Sequence, residues 1–117
     1  MESILTSIKL LLGITEEYDH YDPHVIMHIN SVFTILKQLG VGPEKGFRIK
    51  DKTATWSDYI VETDDITFDS VKTYVYAKVK LIFDPPASSA HTEALKGIIN
   101  EFEWRLNADA EFTNSGE

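Results

Sequence analysis

From Thr67 to Asn107 apolar and polar residues follow the three-and-four rhythm of helices, interrupted once, at Asp84-Pro85-Pro86. Phe68, Val71, Val75, Val79 and Ile82 recur at those spacings and so share one face of a helix. Tyr74, Tyr76, Leu81 and Phe83 widen that face over most of the circumference, which predicts a central helix. Lys72, Lys78 and Lys80 carry their charges outward from it on long stems. Pro85 and Pro86 stop the helix, because neither offers a backbone N–H and Pro85 pushes Asp84 out of the helical region. Ser88 or Ser89 is placed to cap a second helix, along which Leu95, Ile98, Ile99, Phe102 and Leu106 form a narrower stripe. The pattern therefore predicts two long helices folded back on each other.

The first half carries two more helical patterns. Ile4, Leu5, Ile8, Leu11 and Leu12 predict a short amphipathic helix, with Ser3 as its cap and Gly13 as its stop. Glu16, Glu17, Asp19 and Asp22 make the following segment an acidic loop. The next helix is expected to open with Asp22 as N-cap and Pro23 at the first helical position. Val25, Ile29, Val32, Leu36 and Leu39 form its stripe, with Ile26 and Phe33 alongside, and Gly40, Gly42 and Pro43 end it. A long polar link runs from there to Asp65. Within it Phe47-Arg48-Ile49 alternates like a short strand, while Thr55 followed by Trp56, Tyr59 and Ile60 predicts a capped helical turn. The expected architecture is all-α, one helical bundle of four main helices plus a short extra turn, with a long central loop. Residues 1–107 form the domain, and the apolar-poor stretch 108–117 is expected to be a flexible tail able to order on a partner.

Length and composition bound the function. A chain of 117 residues buries roughly two-thirds of its unfolded surface, enough for one core. It has no cysteine, so disulfides and thiolate metal sites are excluded. No apolar run approaches the roughly twenty residues needed to cross a bilayer, and Met1-Glu2-Ser3 lacks a basic leader. No membrane association is expected, and the chain is expected to stay in the compartment where it is made. A net charge of −8 argues against gripping a phosphate backbone, which draws on clustered Lys and Arg. An acidic wall can still stand beside DNA and let it slide.

Several phrases carry a family resemblance. Val71-Lys72-Thr73-Tyr74-Val75-Tyr76, then Lys80-Leu81-Ile82-Phe83-Asp84-Pro85-Pro86 and Glu103-Trp104-Arg105-Leu106-Asn107, resemble the head-tail connectors of long-tailed bacteriophages. Ile4-Leu5-Thr6-Ser7-Ile8-Lys9-Leu10-Leu11-Leu12-Gly13-Ile14, Leu39-Gly40-Val41-Gly42-Pro43 and Ala54-Thr55-Trp56-Ser57-Asp58-Tyr59 point the same way, so the resemblance spans Ile4 to Asn107. It implies a small helical head-completion adaptor of the virion, assembled in the host cytoplasm and located where head meets tail. The implied partners are the portal protein, neighbouring copies in a ring of twelve-fold symmetry, and the next joining protein, the stopper. DNA would pass through the ring without specific binding and be retained by it.

Chemistry offers little. His20, His24 and His28 are spaced by four near Asp19 and Asp22, and two histidines at that spacing on a helix can share a metal ion. Yet His24-Val25-Ile26-Met27-His28 lacks the glutamate base, and His20 precedes Pro23, outside the helix. Partly exposed histidines near a helix start is the better reading. There is no glycine-rich loop opening a helix and no nucleophile-elbow phrase. Glu101 and Arg105 fit a surface pair four residues apart. No catalysis, cofactor or metal is expected.

Trp104 lies opposite the stripe of its own helix. Either a partner covers it, as tryptophans at interfaces often require, or the bundle or the central link wraps over it. A closed ring needs two different patches on each copy. Trp104 and the Trp56, Tyr59 and Ile60 region are the candidates for subunit or portal contact, with Trp56 and Tyr59 alternatively pinning the link to the bundle. The rival to a connector is a small acidic inhibitor mimicking DNA. The interleaving of its acidic residues with Lys72, Lys78, Lys80 and Lys96 disfavours it.

Overall fold

The computed structural model describes residues 3–60 and 65–115, so the link's residues 61–64 and the tail's 116–117 lie outside the described residues. In chain order the helices are α1 (Ile4–Leu11), α2 (Asp22–Gln38), α3 (Trp56–Tyr59), α4 (Asp65–Phe83) and α5 (Ser89–Ser115). Four main helices and one short turn are what the periodicity predicts.

The caps explain where the helices begin. Ser3 Oγ accepts the Thr6 N–H at 3.2 Å and opens α1, while Gly13, at φ +85°, closes the turn that ends it. Ile4, Leu5 and Ile8 enter the core, but Leu10 and Leu11 face outward, so the buried stripe is shorter than the sequence pattern suggests. α2 starts one residue earlier than expected. Asp22 is its first helical residue and makes no cap, because its carboxylate meets the Lys9 ammonium at 2.8 Å. Pro23 still sits in the first turn, where a missing N–H costs nothing.

α4 is the centre of the bundle and packs against α1, α2 and α5. Its Val71, Tyr74, Val75, Ala77 and Val79 are all buried, covering more of the circumference than one stripe. The Pro85-Pro86 break ends it at Phe83. Ser88 Oγ then accepts the His91 N–H at 3.1 Å and starts α5. Ile99 and Leu106 anchor α5 to the core, with Leu95 and Phe102 half-buried beside them. Across the α4–α5 seam the Tyr74 hydroxyl donates to Glu103 at 2.7 Å, and Lys78 stands 3.7 Å from the same carboxylate. Helical backbone continues to Ser115, beyond Asn107 where the apolar stripe ends.

Phe47-Arg48-Ile49 is not a strand: among the described residues no second strand lies beside it. The Asn30 side chain takes a strand's place. Its carbonyl accepts the Ile49 N–H at 2.7 Å and its amide donates to the Ile49 carbonyl at 3.0 Å. This satisfies both backbone groups and leaves the Ile49 side chain buried in the core.

Candidate functional site

The link segment is built inward. Thr55 precedes α3, and its N–H donates to Asp58 at 2.9 Å, which fixes the turn. The turn drives Trp56 into the bundle, where it is 1% exposed, and its indole N–H donates to Ser7 Oγ at 2.8 Å. Ser7 passes the bond on to the Ile4 carbonyl at 3.0 Å. Tyr59 is also buried, its ring tilted against Phe33 at 4.4 Å and Phe47 at 5.1 Å. Gly42, at φ +92°, allows this: a Cβ there would lie 2.8 Å from the Tyr59 ring. Burial raises the Tyr59 phenol well above its ordinary pKa, so the hydroxyl stays neutral. Trp56 and Tyr59 are therefore core residues of the folded chain, and Ile60 is half-buried at the end of the turn.

Trp104 is the opposite case. It is 73% exposed, on the side of α5 facing away from Ile99 and Leu106. Neither the bundle nor the described part of the link covers the ring. Gly97 lies two turns earlier on the same side, and a Cβ there would meet nothing within 4 Å. Glu101 and Arg105 pair beside it at 2.6 Å.

The histidines near the start of α2 fall among aromatic rings. His20 stands 4.9 Å from Tyr21 edge-on, Tyr21 stands 5.4 Å from Phe83, and His28 stands 6.2 Å from Phe83. Among the described residues no group of three or more His, Asp or Glu is placed to hold a metal ion. No described helix is long and apolar enough to cross a membrane.

One feature escapes a reading for motifs. A groove of about 880 Å³ runs between α2 and the loop residues 45–50. Four of the chain's 11 basic residues line it, namely Lys37, Lys45, Arg48 and Lys50, and no carboxylate does. The sequence signal was local charge: residues 37–50 hold those four cations against Glu44 alone, in a chain of net charge −8.

Comparison with known proteins adds the last observation. The family model described as phage connector protein matches residues 4–113. No curated protein and no solved structure matches the chain.

Proposed function

Since the chain belongs to the phage connector protein family, we propose that its copies dock on the portal as a ring, help retain packaged DNA and present a platform to the stopper. A head-tail connector role comes with the family. Portal docking, ring closure and twelve-fold symmetry form the finer reading, together with assembly in the host cytoplasm followed by residence in the virion. We read the role as structural, without a catalytic step.

The observation supporting this reading is Trp104. Its chain has a complete core, yet leaves a tryptophan 73% exposed on a helix face that packs on nothing else described. Large exposed aromatics of this kind anchor interfaces, where truncation can cost more than about 2 kcal/mol of binding. Gly97 on the same face keeps a path open for close approach of another backbone. Trp56 and Tyr59 drop out of the proposed contact surface, since the monomer's own core uses them.

The test is to mix the purified chain with portal rings of the same phage and weigh the product by size exclusion with light scattering. One copy per portal subunit is the expected result. A well-folded chain that stays monomeric beside the portal at moderate salt would overturn the reading and favour the DNA-mimicking inhibitor.

A further inference from the structure

Resting on the ring reading, we propose that the acidic loop between α1 and α2 of one copy docks into the basic groove of the next. The basic residues divide between those that pair within the chain and those that do not. Lys9, Lys78, Lys80, Lys96 and Arg105 each lie within ion-pair distance of a carboxylate. The groove's Lys37, Lys45, Arg48 and Lys50, like Lys52 outside it, have no such partner among the described residues. The carboxylate of Asp51, next to Lys50 in the chain, accepts from the hydroxyl and backbone of Thr53, and these bonds, with a smaller contribution from the Lys50 charge, lower its pKa. Beside the cations the lining mixes Asn30, Ser31 and Thr34 with Pro23, Ile26, Phe47 and an exposed Met27. Such a site suits an acidic segment that also carries a ring. A phosphate backbone would match the cations but leave Ile26, Met27 and Phe47 without an apolar partner.

The loop has that chemistry. Glu16, Glu17 and Asp19 are exposed and their carboxylates have no ion-pair partner among the described residues, and Tyr18 and Tyr21 are exposed beside them. It is also held rigid. Lys9, its side chain only 3% exposed, donates to the Glu16 carbonyl at 3.0 Å and pairs with Asp22 at 2.8 Å, gripping both ends of the loop. Backbone bonds from Tyr18 to Thr15 and from Asp22 to Asp19 set the two turns between. Burying an ammonium is costly, so a loop anchored that way is pre-organised for contact.

The two patches are also different surfaces of one copy. The loop precedes Asp22, while Lys37 lies in the last turn of α2 with Lys45 next in the groove wall. The groove runs along α2 from Pro23 to Lys37, with Arg48 and Lys50 on either side of the Ile49 that Asn30 holds. Within one copy none of its cations lies within ion-pair distance of a loop carboxylate among the described residues. Two different surfaces on each copy satisfy the symmetry of a closed ring.

Charge reversal with complementation tests this. One variant reverses the groove (Lys37→Glu, Lys45→Glu, Arg48→Glu) and another the loop (Glu16→Lys, Glu17→Lys, Asp19→Lys). All six side chains are exposed, and circular dichroism checks that both variants fold. Ring formation, free and on portal rings, is read by light scattering. Each variant alone is expected to lose at least tenfold in self-association, and an equal mixture to recover it, because loop and groove then match in alternating order. Carbodiimide treatment of mixed isotope-labelled and unlabelled wild-type chains is expected to join Glu16, Glu17 or Asp19 of one copy to Lys37, Lys45 or Lys50 of another.

Wild-type-like rings from both variants would overturn the groove contact while leaving the ring reading intact. Failure of the wild-type chain to associate with itself or the portal would instead remove the ring reading, and this inference with it. Loss in both variants without recovery in the mixture would assign the groove to a different acidic partner. Loss of nucleic-acid binding alone on groove reversal would assign it to nucleic acid.

Discussion

The chain's two tryptophans occupy opposite worlds: Trp56 is 1% exposed and Trp104 is 73% exposed. Each follows from its local frame. Trp56 sits in a one-turn helix tied to α1 by the Ser3–Thr55 bridge and the Ile4 N–H to Ala54 bond, which leave its ring nowhere to go but inward. Trp104 rides a long helix whose other side already packs on α4, so its ring points at solvent. The inward region spends its apolar surface on the fold, whereas the outward one keeps its surface available. The difference teaches that an aromatic's role here is set by which side of its element remains unpartnered.

The largest effect that sharpens this contrast is expected at Trp56. Trp56→Ala removes a fully buried ring and strips Ser7 Oγ of its indole donor, and should cost about 3–5 kcal/mol by chemical denaturation. A cost under about 1 kcal/mol would place the ring outside the core and dissolve the contrast.

Lys9→Met comes next, because it asks whether the inward region supports the outward one. The substitution keeps an apolar stem in α1 but removes the ammonium that holds Glu16 and Asp22. Breaking a fully buried pair costs about 3–5 kcal/mol; Asp22 is 26% exposed and regains some water, so about 2 kcal/mol is expected. Hydrogen exchange should quicken first at the Tyr18 and Asp22 amides, whose bonds close the two turns of the loop. Unchanged exchange there would show that the loop stands without its clamp.

How much of this was legible beforehand depended on the range of the interaction. Helices were legible because periodicity and caps are local: Ser3, Gly13, the Pro85-Pro86 break and Ser88 all act within a turn. Long-range partners were not. Asp22 looked like a cap until Lys9, thirteen positions earlier, took its carboxylate. Phe47-Arg48-Ile49 looked like a strand because alternation is all a sequence shows, and the group satisfying it is one side chain on α2. The basic groove needed α2 and the link brought together before its cations shared a wall. Trp104 was visible as misplaced on its helical wheel, but whether the link covered it was a tertiary question.

Smaller and opposite in sign is the effect expected of Gly97→Ala. Glycine inside a helix gives up about 0.5–1 kcal/mol relative to alanine, and here a methyl would meet nothing within 4 Å. The monomer should therefore gain that much stability. If the face serves only solvent, assembly on portal rings should be unaffected. Weaker assembly from a more stable monomer would mark the position as one where another backbone comes close.

The smallest stability effect is expected at Trp104, and it decides the comparison. A ring 73% exposed contributes little to the fold, so Trp104→Ala should shift unfolding by less than about 0.5 kcal/mol, as surface substitutions do. Its cost should appear only in company, as lost mass in the complex with portal rings. The pairing of the two readouts carries the argument, since either alone has another explanation. Lost assembly with a weakened monomer would return Trp104 to the core beside Trp56. Intact stability and intact assembly would leave its exposure without a purpose and move the contact surface elsewhere on the chain. A stable monomer that no longer joins the portal is the one result that assigns the two tryptophans different functions, one holding the chain together and the other holding it to its neighbours.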